Sequence, residues 1–137
     1  MKKTIYLLLF LITSFLQSNG QKIQLEDPEH LLDGYSFTYQ YQSGDAIYIE
    51  FNDGELTYQW IEGRRKENPI KTFPYLSRMI DDNIYLVNWH EKNEKNFISL
   101  VFNLKNRVAS SSVIVRYGND DPIIAFQGGI IEHVRKK

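Results

Sequence analysis

The chain has 137 residues, a formal net charge of −1 and no cysteine. The missing cysteines exclude disulfides, thiol catalysis, cysteine-ligated metal centres and a lipid-modified cysteine. The slightly acidic balance, with no basic cluster larger than Arg64-Arg65-Lys66, speaks against nucleic-acid binding.

The first twenty residues have the pattern of a secretory signal peptide. Met1-Lys2-Lys3 is a short basic start, Ile5 to Leu16 is an almost unbroken apolar run, and Ser18-Asn19-Gly20 offers small residues where a signal peptidase reads. Cleavage is expected after Gly20. The apolar run is short of the roughly 20 residues that a bilayer span needs, so a membrane anchor is the weaker alternative. Removing this segment takes away Lys2 and Lys3 and no acid, which moves the net charge from −1 to −3 and leaves enough chain for one domain. The expected product is exported, periplasmic or secreted, without stable membrane insertion.

Residues 21–34 read as an irregular N-terminal lead-in with at most one helical turn around Pro28-Glu29-His30-Leu31-Leu32. From Tyr35 onward, strand and turn alternate. Tyr35–Tyr41 is followed by Ser43-Gly44-Asp45, and Ala46–Phe51 by Asn52-Asp53-Gly54, a strong hairpin signal. Glu55–Ile61 leads into Glu62-Gly63-Arg64-Arg65. A strand over Lys71–Met79 is weak, because Pro69 and Pro74 confine it to an edge or a bulge. Asp81-Asp82-Asn83 turns into Ile84–Glu91, Lys92–Lys95 turns into Phe97–Leu104, and Lys105-Asn106 turns into Val108–Tyr117. After Gly118–Pro122 come two short runs, Ile123–Phe126 and Ile130–Val134. About eight or nine short antiparallel strands, with no helical period of useful length, predict a single all-β domain over residues 35–137, a barrel or a sandwich. A barrel of about eight strands has room for side chains or for one small ligand.

At period two, Tyr35, Phe37, Tyr39 and Tyr41 share one face of the first strand, an aromatic wall where Val, Ile and Leu would be ordinary. Three tyrosines on a buried face bring in three hydroxyls, each needing a partner. The third strand offers Leu56, Tyr58 and Trp60, continuing to Glu62 and Arg64. The strand at Ile84 offers Tyr85, Val87 and Trp89, continuing to Glu91. An unpaired buried carboxylate or guanidinium is costly, so Arg64 and Glu91, if inward, should pair, meet ligand charge or sit at a wet mouth. The residues leave two readings open: a filled aromatic core with solvated charges at the strand ends, or a ligand pocket. His30, His90 and His133 lack metal-ligand spacing, and no metal is expected. Asn119-Asp120-Asp121 reads as a turn, and Ser110-Ser111-Ser112 has no nucleophile motif.

The order Tyr39-x-Tyr41-x-x-Gly44, Asn52-Asp53, Gly63-Arg64, Ile84-Tyr85-x-Val87-x-Trp89-x-Glu91 and Ile98-Ser99-Leu100-x-Phe102 resembles the phenolic acid decarboxylases and the broader MoaF-like set of small calycin-type barrels. The resemblance spans roughly residues 34–117. It implies a small antiparallel lipocalin-like β-barrel with a central pocket, working without a cofactor. It also implies that Tyr39 and Tyr41 would hold a substrate carboxylate while Arg64 and Glu91 complete the pocket. The chain departs from the decarboxylases in lacking their extra C-terminal structure and in reading Trp89-His90-Glu91-Lys92-Asn93 where they have Thr-Glu-Pro after the tryptophan. A one-residue slip would put Arg65 in the place of Arg64. The expected role is binding of a small apolar or aromatic ligand by Tyr35, Phe37, Tyr39, Tyr41, Tyr58, Trp60, Tyr85 and Trp89. The alternatives are cofactor-free decarboxylation of a hydroxycinnamic acid, with Tyr39, Tyr41, Arg64 and Glu91 as its catalytic set, and a solid-core structural or interaction module.

Overall fold

The computed structural model describes residues 29–137; the expected signal peptide, its cleavage after Gly20 and residues 21–28 lie outside them. The described part of the lead-in holds neither helix nor strand. Glu29 makes an isolated antiparallel bridge to Ser77, and residues 31–34 turn the chain toward the first strand.

Eight strands follow: β1 (Tyr35–Tyr41), β2 (Ala46–Asn52), β3 (Glu55–Glu62), β4 (Lys71–Asp81), β5 (Ile84–Glu91), β6 (Asn96–Asn103), β7 (Val108–Val115) and β8 (Ile123–Lys136). Each pairs antiparallel with its neighbours in sequence, and β8 returns to pair with β1, so the sheet closes into a barrel. The local chemistry explains the meander. Between β2 and β3, Asn52 faces Glu55 across Asp53 and Gly54, both at positive φ, the two-residue turn whose twist matches a hairpin. Closure is helped by a register shift between Thr38 and Tyr39 against β8, since a bulge bends and twists the strand that carries it.

Two elements differ from the sequence expectation. The weak strand is full length, running Lys71–Asp81, because Pro74 sits where β4 changes partners. Lys71 to Pro74 pair with β3, and Tyr75 onward pair with β5. A residue without an N–H is tolerated best where one ladder ends and the next begins. The two short runs at the end of the chain are one strand, Ile123–Lys136, which fixes the count at eight. Gly128 and Gly129 interrupt the apolar pattern without interrupting the ladder. At Gly129 the missing side chain is required, because a Cβ there would lie 2.7 Å from the Gln40 carbonyl oxygen of β1.

The alternation of each strand sorts side chains into wall and interior. Phe37, Tyr39 and Tyr41 of β1, Leu56, Tyr58 and Trp60 of β3, and Val87, Trp89 and Glu91 of β5 all point inward and are buried. One half of the interior is solid. Phe37 stacks on Phe102 with ring centroids 4.3 Å apart, and Phe51 meets Tyr75 edge-on at 4.7 Å. Leu32 of the lead-in joins this cluster. Asp33 fastens the lead-in to it, accepting the Tyr75 hydroxyl at 2.8 Å and the Gly54 N–H at 3.0 Å. Each aromatic side chain so buried stabilises the fold by about 1.5–3 kcal/mol.

Candidate functional site

The other half of the barrel contains a cavity of about 360 Å³ to which all eight strands contribute. Tyr39 and Tyr41 come from β1, Ile47 from β2, Tyr58 and Trp60 from β3, and Trp89 and Glu91 from β5. Ile98, Val113 and Ala125 complete the apolar wall from β6, β7 and β8. Charged and amide side chains gather at the rim: Arg65 and Asn68 from the β3–β4 loop, Lys71 at the start of β4 and Glu94 in the β5–β6 turn.

Among the charged groups that line the cavity, Glu91 is set deepest, with 4% of its surface exposed. Its Oε1 accepts the Tyr58 hydroxyl at 2.8 Å and the Trp89 indole N–H at 3.2 Å. Its Oε2 accepts the Asn96 side-chain N–H at 2.9 Å and lies 3.9 Å from Lys71 Nζ. Lys71 also pairs with Glu94 at the rim. A buried carboxylate is tolerated when its lone pairs are filled in this way. The arrangement holds Tyr58 as a neutral phenol, because burial and then the Glu91 charge push its pKa well above the ordinary tyrosine value.

Tyr39 and Tyr41 lie across the same cavity. The Tyr41 hydroxyl donates to that of Tyr39 over 3.5 Å, a long contact, and the rings meet edge-on. Burial raises both pKa values, that of Tyr39 further because its neighbour Tyr41 adds to the effect. For Tyr41 the hydroxyls of Tyr39 and Ser111 and the charge of Arg65 work against the rise. Ser111, buried on β7, has a hydroxyl without a hydrogen-bond partner among the described residues. The Tyr39 and Tyr41 hydroxyls thus face the cavity as donors, whereas Glu91 is an acceptor that already holds three donors.

The arginine of the rim is settled by backbone geometry. Asp45, itself buried, accepts the Arg64 N–H at 2.9 Å, and Gly63 before it has φ +88°. The chain turns there, leaving Arg64 exposed and off the cavity. The next residue, Arg65, lies over the Trp60 ring with its guanidinium carbon 4.6 Å from the centroid.

Of the residues expected from the sequence, Tyr39, Tyr41, Tyr58, Trp60, Trp89 and Glu91 meet in one cavity. Tyr35, Phe37 and Tyr85 do not line it. Phe37 belongs to the solid half, and Tyr35 and Tyr85 pack half-buried against the core. Lys71, Glu94 and Asn96 were not expected. Asn96 closes the hairpin directly opposite Glu91, a pairing readable once the Lys92–Lys95 turn is recognised. Lys71 reaches the site because it faces Tyr58 across β3 and β4, a register that the weak β4 pattern does not reveal.

The description of the MoaF-like family matches residues 33–130, most of the chain. No curated protein matches this sequence. Sixteen chains of solved structures do. One is a Burkholderia vietnamiensis protein provisionally described as a beta-lactamase, 12% identical, with a TM-score of 0.58 over 77% of this chain and 95% of that chain. At that identity the likeness speaks for the fold alone. The family match agrees with the closed eight-stranded barrel found here, and the chain belongs to the MoaF-like family.

Proposed function

We propose that this protein binds a small, partly aromatic ligand in the open half of its barrel. The observation that carries the reading is the cavity of about 360 Å³, walled by Tyr39, Tyr41, Tyr58, Trp60 and Trp89 and holding few polar groups. Such a volume, mostly apolar and with a few convergent polar groups, is characteristic of small-molecule sites. The hydroxyls of Tyr39 and Tyr41 suit an acceptor on the ligand, and the aromatic walls suit a flat body. Export, expected from the first twenty residues, would place this binding outside the cytoplasm. Both tryptophans of the chain line the cavity, so ligand entry reports directly in fluorescence. Titration with p-coumaric acid, indole and a medium-chain fatty acid is expected to give a saturable change in tryptophan emission with at least one of them. A flat response to the whole panel would count against binding and favour a scaffold role.

A second reading, cofactor-free decarboxylation of a hydroxycinnamic acid, is favoured by one observation: Tyr39, Tyr41 and Glu91 face one cavity. Tyr39 and Tyr41 would hold the carboxylate. Arg65, in place of the exposed Arg64, would orient the substrate. Glu91 would take the phenolic proton while a proton from solvent adds to the carbon next to the carboxylate, giving a quinone methide. Breaking the bond to the carboxylate then releases carbon dioxide and returns the electron pair to the ring, and Glu91 returns its proton to the phenolate of the product. The absorbance of p-coumaric or ferulic acid follows the reaction. Turnover no greater than that of Glu91→Gln would remove this reading and leave binding untouched.

A further inference from the structure

β8 is longer than the barrel needs. It pairs with β7 along Ile123 to Ile130, but β1 meets it only from Gly129 onward, with one further bond from the Gln42 N–H to the Gly128 carbonyl. Along Ile123–Gln127 the opposite edge therefore has no strand beside it among the described residues. Free edges are ordinarily guarded by charge, proline or a bulge. This one reads Ile-Ile-Ala-Phe-Gln, with no charge, no proline and no register shift against β7. Its outer face is apolar as well: Phe126 is 81% and Ile124 68% exposed. Ile124 continues in register through Ile114 to Phe97, both also exposed, so the apolar surface crosses three strands.

We propose that this edge is where two copies of the protein join, pairing Ile123–Gln127 antiparallel about a twofold axis. The segment is self-complementary. With Ala125 on the axis, Ile124 of each copy faces Phe126 of the other, so both cross-strand pairs are apolar and lie on the same outer face. The uncharged segment brings no charge against its own image. The exposed Ile114 and Phe97 beside Ile124 extend the apolar contact beyond the paired strands themselves. The partner strand would run beside the cavity, because Ile123, Ala125 and Gln127 face inward and line it.

Sedimentation of the purified protein across a range of concentrations tests this. A monomer–dimer equilibrium is expected, with Phe126→Lys and Ile124→Lys each raising the dissociation constant at least about tenfold. Both side chains point to solvent, so far-UV circular dichroism should be unchanged. Amide exchange in the unsubstituted protein provides an independent reading, with Ile123–Gln127 expected to be better protected at high than at low concentration. A monomer at every concentration, or a dimer insensitive to both lysines, would overturn the proposal. So would an edge whose protection is independent of concentration, which would mean that another part of the chain covers it. Pairing with an unrelated extended peptide by a protein that stays monomeric alone would overturn it equally.

Discussion

Three donors converge on Glu91 from different directions: Tyr58 from β3, Trp89 from two residues back on its own strand, and Asn96 from across the β5–β6 turn. Truncating the acceptor strands all three. Glu91→Ala is therefore expected to destabilise the fold by about 2–4 kcal/mol in urea unfolding, the cost of buried donors left unpaired. Glu91→Gln should cost less, because an amide oxygen can still accept from Tyr58 and Trp89. A near-neutral Glu91→Ala would mean that Tyr58 and Trp89 find other acceptors. This residue was legible in the sequence: period two from Val87 through Trp89 puts it on an inward face. Arg64 was misplaced by the same argument, because the period has no force beyond the strand. Once Gly63 turns the chain, the choice between Arg64 and Arg65 depends on a bond to Asp45 that only the fold brings near. The aromatic wall of β1 was also read too uniformly. All its members pack inward or against the core, yet the barrel is filled at one end and open at the other, and only Tyr39 and Tyr41 lie on the open side.

At the scale of elements, the turn after β3 deserves its own test. Gly63 has φ +88°, and a Cβ there would lie 2.1 Å from Asp45 Oδ1. Gly63→Ala must therefore both strain the backbone and displace Asp45, which holds the Arg64 N–H. A loss of about 1–3 kcal/mol is expected. Displacement of Asp45 should also shift Arg65 from Trp60, so tryptophan emission should change even in the folded protein. Gly44→Ala is the comparison: its φ is likewise positive, but nothing lies within 4 Å of the added Cβ, so only the backbone cost should remain. Strands bounded by clear turn residues were legible, with β1, β2, β3, β5 and β6 placed to within a residue or two. β4 and β8 were obscured by the residues that let them do unusual work: Pro74 where a strand changes partners, and Gly129 where β1 must approach closely.

At the scale of the whole molecule, the interior is unusually rich in phenols. Tyr39, Tyr41, Tyr58 and Tyr75 all have pKa values raised above the ordinary tyrosine value, in each case chiefly by burial. In the unfolded chain these groups lose their protons near pH 10, whereas the folded state retains them. The folded state then binds more protons, so stability is intact below about pH 10 and falls as pH rises beyond it. Ultraviolet titration should show the interior tyrosines ionising only as the barrel opens. Smooth ionisation of all of them in a folded protein would contradict this. The strand pattern alone left closure as one of two options, barrel or sandwich, because the pairing of the first strand with the last leaves no local mark; the family resemblance implied the barrel, and the sheet closes as one. That seam has a kinetic consequence. Seven of the eight ladders join strands separated by a turn or a loop, while β1 and β8 must find each other from opposite ends of the described chain. Loop-closure entropy sets this ladder apart, so it should form after the rate-limiting step. Ile131→Ala on the seam should mainly speed unfolding, and Val87→Ala in the β5–β6 hairpin should slow folding. In stopped-flow kinetics the barrel would then behave as a chain of hairpins with a late final stitch.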